Sequence, residues 1–347
     1  MRILIVSNSL SGGGAERAMN LLANLFTVKG YEVSTLCVNQ SDEDLVHNKS
    51  HLIQLSRNWN DGVIPTLKGF IQFLGFVKKW SPQVVILNCD LPELYGAFAF
   101  RARNLICVEH VNQPWINRRK VGFVIRKVLQ MRKVTWVAVS DHLTIWPFQV
   151  KPAAVIENLV GENVDFESVQ SLGRGATKKI PLKRIVFIGR FDPQKQPIKV
   201  LQIASTLNVP AVFVGQGKLL AEMEKISNEL EVDSQFMGFR RNPWDQIRKG
   251  DLLIVPSLFE GDGLVVVEAI MRGVPLLISD IPEFRRFRLP DRNYCSDIQE
   301  FCEAIGIYQQ DIVSLKVASN KRGELRTMRD PERIYNLWHN LLNRFHD

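Results

Sequence analysis

The chain is short of cysteine and histidine, has no excess of acid, and lacks any long apolar run. Its five cysteines (Cys37, Cys89, Cys107, Cys295 and Cys302) are scattered, odd in number and without metal-ligand spacing. They read as reduced thiols, mostly in buried strands, which excludes a disulfide-stapled secreted domain. There is no His/Asp metal cluster, no Ser/His/Asp order and no Walker loop, so no metal is expected. No apolar run is long enough to span a bilayer. No charged segment, apolar core and cleavage site precede the first strand, so no secretory signal is expected. Repeats at solenoid periods and low-complexity segments are absent as well. What is present is globular: 46% hydrophobic and 23% charged residues in 347. That length suggests two domains of ordinary size. The net charge of +8 asks for an anionic partner. A nucleic acid, an anionic membrane surface and a diphosphate all qualify.

Strand-like runs alternate with helical patterns in both halves. In the first they are Ile3–Ser7, Glu32–Val38, Leu52–Leu55, Val84–Leu87, Leu105–Val108, Val134–Val139 and Ala154–Ile156, with the clearest helix at Glu16–Val28. The second has Arg184–Ile188, Ala211–Val214, Ser234–Met237, Leu252–Val255 and Pro275–Ile278. Such alternation implies an α/β fold of two doubly wound, Rossmann-like domains with a cleft between them. The expected boundaries are 1–165, a polar linker at 166–183, 184–330, and a C-terminal helix at 331–347 that packs back on the first domain. Ligands of such sheets sit at the carboxyl ends of the strands.

The most informative stretch is Glu260-Gly-Asp-Gly-Leu-Val-Val-Val-Glu268. It joins an apolar strand to a helix, so its glycine turn exposes backbone N–H groups at a positive helix end, where phosphate binds. Two carboxylates bracket that turn. Phosphate repels carboxylates, so these are suited to hydroxyls on either side of it. A molecule with hydroxyls on both sides of a diphosphate is a nucleotide-sugar.

Other motifs carry less alone. Ser11-Gly-Gly-Gly-Ala-Glu-Arg17 opens the first helix but fails the dinucleotide fingerprint, because Arg17 stands in place of the third glycine. It reads either as a loop that lets backbone approach a ligand, with Glu16 and Arg17 toward the cleft, or as a plain tight turn. Arg190 and Lys195 follow the first strand of the second domain. They are either solvated surface or the pair that neutralises a leaving diphosphate without metal. Gly215-Gln-Gly217 reads as turn chemistry, whereas Met237-Gly238-Phe239 offers backbone groups to a flat base. Glu109-His110 ends a strand toward the same cleft, where a neutral histidine can meet a sugar hydroxyl.

From Trp115 to Lys133, seven basic residues (Arg118, Arg119, Lys120, Arg126, Lys127, Arg132 and Lys133) interleave with Val121, Phe123, Val124, Ile125, Val128, Leu129 and Met131. This basic amphipathic helix suits an anionic membrane surface or a lipid-linked phosphate. Leu67 to Trp80 adds Phe70, Phe73, Phe76 and Trp80. The plainer reading is helices packed on the sheet with solvated charges outside.

Taken in order, Gly12-Gly-Gly-Ala-Glu-Arg17, Glu109-His110, Val139-Ser140, Ile156-Glu-Asn158, Gly189-Arg190 with Lys195, Gly215-Gln-Gly217, Met237-Gly238-Phe239 and Glu260 with Glu268 resemble the retaining glycosyltransferases of family 4, which have the GT-B fold. The resemblance covers nearly the whole chain. It implies metal-independent sugar transfer from a nucleotide donor with retained anomeric configuration, and no cofactor beyond that substrate. It implies that Arg190 and Lys195 hold the diphosphate, Glu268 the ribose and Glu260 the donor sugar. Backbone of Gly263, Leu264 and Val265 then meets the phosphate, His110 lies over the sugar, and Gly13 and Gly14 close against it. A UDP-sugar is the preferred donor. The basic helix matches members that act on polyprenyl-diphosphate-linked glycans at the cytoplasmic membrane face, in O-antigen, capsule or related syntheses. Asp262 stands where an apolar residue is common, and the segment Ile156 to Asp165 is longer than the usual turn; no role is transferred to Asn158 or Asp165.

Rival readings are a GT-B epimerase or an inverting transferase with His110 as base, and a pseudoenzyme. A nucleic-acid-binding protein is disfavoured because the basic residues sit among aliphatics rather than base-stacking aromatics.

Overall fold

A computed structural model describes residues 1–9, 13–40, 52–58, 61–112, 114–116, 118–161 and 179–345. Ser11, Gly12, Asp165 and residues 166–178 of the expected linker lie outside the described residues. The chain forms two compact units, Met1–Val160 with Met328–Asp347, and Gly161–Thr327. The last residues of the expected linker are built into the second unit. Ile180 is buried, and the N–H groups of Leu182 and Lys183 donate to the carbonyls of Gln309 and Gly250 at 2.7 and 2.8 Å.

The first unit runs β1 (Arg2–Ser7), α1 (Gly14–Val28), β2 (Glu32–Cys37), β3 (Leu52–Gln54), α2 (Val63–Trp80), β4 (Val84–Asn88), α3 (Asp90–Phe98), β5 (Asn104–Glu109), α4 (Arg119–Met131), β6 (Thr135–Ala138) and β7 (Ala154–Val155). The second runs β8 (Arg184–Ile188), α5 (Pro197–Leu207), β9 (Ala211–Val214), α6 (Leu220–Glu229), β10 (Ser234–Phe236), β11 (Asp251–Val255), α7 (Leu264–Arg272), β12 (Leu276–Ser279), α8 (Pro282–Arg285), β13 (Tyr294–Cys295), α9 (Ile298–Tyr308) and α10 (Ser319–Met328). The chain then returns to the first unit as α11 (Pro331–Leu342). Asp330 starts that helix: its carboxylate accepts the N–H of Arg333 at 3.0 Å, with Pro331 at the first position.

Both sheets are parallel. Their orders are β3-β2-β1-β4-β5-β6-β7 and β10-β9-β8-β11-β12-β13. In the first, side chains alternate between two cores as strand geometry requires. Ile3 and Ile5 pack with α1 and with Ile334, Trp338, Leu341 and Leu342 of α11. Leu4 and Val6 pack with Phe73 of α2, Tyr95 of α3, and Ile125 and Leu129 of α4. In the second, Ile185 and Phe187 join α5 and α9, with Phe301 and Ile305 on the latter. Strand order reverses direction between β1 and β4 in one sheet and between β8 and β11 in the other. Those are the points where a crevice opens at the strand carboxyl ends.

Candidate active site

The second switch point gathers the motif residues that were far apart in sequence. Gly189 to Lys195 follows β8, and Ser257 to Gly263 follows β11, its neighbour across the reversal. Backbone and side chains stitch the two loops together. Leu258 N–H donates to the Gln194 carbonyl at 2.9 Å, and Gln194 Nε2 donates to the Phe259 carbonyl at 3.0 Å. Asp192 shapes the first loop by accepting the Lys195 N–H at 3.0 Å. Glycine is demanded at Gly215, whose φ is +146° and where a Cβ would collide with the Gly189 carbonyl.

Lys195 Nζ meets Glu260 Oε1 at 2.5 Å, and Ser257 Oγ donates to the same oxygen at 2.8 Å. Glu260 is only 5% exposed. A buried carboxylate needs both a counter-charge and hydrogen bonds, and here it has them. Arg190 stands farther out, half exposed, with Nη2 at 3.3 Å from Asp192 and 3.2 Å from Gln194. Gly263, in the left-handed region at φ 62°, turns the chain into α7. Leu264 and Val265 open that helix, where N–H groups have no intrahelical acceptor. Glu268, one turn along α7, is buried and accepts the indole N–H of Trp244 at 2.6 Å. Phe239 follows β10 and is 42% exposed. Asp262 is also buried: its carboxylate pairs with Arg286 at 2.8 Å, and its carbonyl accepts the same guanidinium at 2.6 Å. The unusual acid is thus neutralised from the α8 side.

Sequence reasoning missed Ser257, Gln194, Trp244 and Arg286. Ser257 stands three residues before Glu260, which was its only signal. Trp244 and Arg286 lie 24 residues before Glu268 and 24 after Asp262, on elements that no local pattern joins to them.

In the first unit Gly13 precedes α1, and its N–H donates to Glu16 at 2.9 Å. Glu16 therefore caps its own helix. His110 follows β5 and is half buried. Its neighbour Glu109 turns into the core. It is buried against Arg126, whose guanidinium meets Glu109 Oε2 and Glu93 Oε1 at 2.5 Å each. Trp115 Nε1 donates to Glu93 at 2.7 Å. Burial pushes the Glu109 carboxyl up to about 7 against the pull of Arg126. Burial also raises Asp90, beside this cluster, to about 6.

This corrects the reading of the basic helix. Arg126 is 1% exposed and Trp115 is buried. Arg132 donates to the carbonyls of Ala99 and Ala102 at 3.0 and 2.6 Å, closing the end of α3. Arg118, Arg119, Lys120, Lys127 and Lys133 do face outward, beside Val121, Phe123, Val124 and Met131. On α2 the order is also inverted. Phe73 is buried and Phe76 stacks on Trp80 at 5.7 Å, while the outward face carries Val63, Ile64, Leu67 and Ile71, the first two 75% and 80% exposed.

Comparison with known proteins agrees with this architecture. Residues 175–288 match the family described as Glycosyl transferases group 1. The Escherichia coli UDP-Gal:alpha-D-GlcNAc-diphosphoundecaprenol alpha-1,3-galactosyltransferase is 24% identical over 301 residues, covering 77% of this chain and 76% of that protein. A Campylobacter jejuni enzyme, GalNAc-alpha-(1->4)-GalNAc-alpha-(1->3)-diNAcBac-PP-undecaprenol alpha-1,4-N-acetyl-D-galactosaminyltransferase, is 24% identical over 285 residues, covering 78% and 77%. Among solved structures, Anabaena Alr3699/HepE in complex with UDP and glucose superposes with a TM-score of 0.77 at 16% identity, covering 99% of this chain and all of that one. The chain is a glycosyltransferase with the GT-B fold.

Proposed function

We propose that the protein is a retaining, metal-independent glycosyltransferase of family 4 that moves a sugar from a UDP-sugar to a polyprenyl-diphosphate-linked glycan. The observation that carries this reading is the pairing at one switch point of a Lys195–Glu260 couple with a glycine-capped helix that carries Glu268. Anion-binding backbone lies between two buried carboxylates there, which is the order of groups a nucleotide-sugar requires. Lys195 and Arg190 neutralise the diphosphate as the bond from sugar C1 to phosphate oxygen breaks. The acceptor oxygen bonds to C1 from the face the diphosphate leaves, and the acceptor proton departs with the leaving phosphate. Glu260 receives donor-sugar hydroxyls and Glu268 the ribose. Backbone of Gly263, Leu264 and Val265 holds phosphate, and Gly238-Phe239 borders the base.

The UDP-sugar preference draws on the Anabaena structure, determined with UDP and glucose. The lipid-linked acceptor draws on the undecaprenol diphosphates in the names of both enzymes above. The outward faces of α2 and α4 support a peripheral position on the cytoplasmic side of an anionic membrane. Neither helix contains a single Asp or Glu, and both expose aliphatics beside Lys68, Lys78, Lys79, Arg119, Lys120 and Lys127.

The test is thermal stabilisation by UDP, GDP, ADP and CDP in EDTA, on wild type and Glu268→Ala. A metal-independent shift with UDP, lost in the variant, is expected. No shift with any of the four overturns the donor reading. Anomeric configuration of the product, read by NMR, decides between retention and inversion.

A further inference from the structure

Trp244 sits on the single 3-10 turn Pro243–Gln246, between β10 and β11. Its ring is buried, and its Nε1 lies 2.6 Å from Glu268 Oε2. Arg272, one helical turn beyond Glu268 on α7, places its guanidinium 5.2 Å from the ring centroid. The indole is thus held by α7 at two successive turns. A buried indole N–H takes an acceptor, and most often any carbonyl would serve. Here the acceptor is the carboxylate assigned above to the ribose. The terminal torsion of a glutamate is broad, so an unrestrained carboxylate samples many planes. A short charge-assisted hydrogen bond from a rigid ring confines it to one.

We propose that Trp244 is a positioning residue: its indole N–H fixes the Glu268 carboxylate in the plane that receives the ribose hydroxyls of the nucleotide. This rests on the donor-site reading above. A purely structural tryptophan would stabilise the fold, and its loss would weaken every nucleotide alike. A tryptophan that acts through Glu268 is felt only when the hydroxyl is there to be bound.

The experiment measures affinity for UDP, 2′-deoxy-UDP and 3′-deoxy-UDP on wild type, Trp244→Phe and Glu268→Gln. Trp244→Phe keeps a ring and removes the N–H. On wild type, at least one deoxynucleotide is expected to bind about tenfold more weakly than UDP, the scale of one lost charged hydrogen bond. Trp244→Phe should weaken UDP by about tenfold and leave that deoxynucleotide unchanged. In turnover, KM for the donor rises while kcat stays within about twofold. If Trp244→Phe fails to fold, 3-benzothienylalanine at position 244 removes the N–H with the ring shape intact. Equal weakening of ribo- and deoxynucleotides, or no weakening at all, overturns the proposal. If Glu268→Gln abolishes the preference for ribose while Trp244→Phe does not, only this proposal falls. If UDP, GDP, ADP and CDP all leave wild type unaffected, the donor reading falls with it.

Discussion

Lys195 and Glu260 are each other's counter-charge as well as candidate ligands of the donor. The two roles separate by mutation. Lys195→Met strands a buried carboxylate, which costs about 3–5 kcal/mol of stability. Adding Glu260→Gln replaces that charge with a neutral amide still within reach of Ser257, so most of the loss is recovered. Turnover follows a different rule. The diphosphate needs the cation whatever the state of Glu260, so the double variant stays about a hundredfold or more below wild type. Thermal melts beside initial rates check both halves. Recovery of rate along with stability would reduce Lys195 to a structural ion-pair partner. Asp262 teaches a related lesson: a carboxylate beside an anion-binding turn is tolerable because Arg286 faces it.

At the scale of elements, α4 divides into two populations of basic residues that composition cannot tell apart. Arg119, Lys120 and Lys127 are exposed, so replacing them with serine should release the protein from anionic phosphatidylglycerol vesicles and leave the melting temperature within a few degrees. Arg126→Met should do the reverse. It leaves Glu93 and Glu109 facing each other in the core, a loss of about 3–5 kcal/mol or more at neutral pH. With the guanidinium gone its pull on the Glu109 carboxyl is lost, and Glu109 already sits near 7 with it present. Glu109 then takes up a proton as pH falls, so the deficit shrinks toward pH 5 and grows above pH 7. Melting curves of both variants at pH 5 and pH 8, with vesicle sedimentation, check the division. Why this was hidden in the sequence is physical. Helical periodicity marks which residues share a face, and a charge is read as outward. Arg126 is inward because its partners come from 33 and 17 residues away. Likewise the strands were legible as apolar runs, Arg184–Ile188 and Ala211–Val214 to the residue. β13 was not, because its two residues form no run and only their place beside β12 makes them a strand. The Glu260 to Glu268 stretch was legible because strand, turn and helix are contiguous. Trp244 and Arg286 required the fold.

At the scale of the whole molecule, one topological rule is used twice. Each unit reverses its strand order next to its first strand, and in the second unit Arg190, Lys195 and Glu260 lie on the two loops that flank that reversal, with Glu268 on the helix that follows. The chain does not simply run from one unit to the other, for α11 returns to complete the first. Ile334, Trp338, Leu341 and Leu342 cover Ile3, Ile5 and Phe26 there, and Trp338 meets Phe26 edge to face at 6.0 Å. Four buried side chains at roughly 1.5–3 kcal/mol each approach the whole stability of an ordinary domain. Ending the chain at Asp330 should therefore unfold the first unit, seen as rapid proteolysis before residue 160. The donor residues Lys195, Glu260, Glu268 and Trp244 belong to the other unit, so the truncated chain should still be stabilised by UDP. Trp338→Ala, at about 3–5 kcal/mol, is the graded version. It should lower the first unit's melting transition and spare nucleotide binding. A truncated chain that resists protease in the first unit would show that α11 covers that core without holding it together. A truncated chain that is well folded in the second unit yet no longer stabilised by UDP would mean that the nucleotide needs residues outside it.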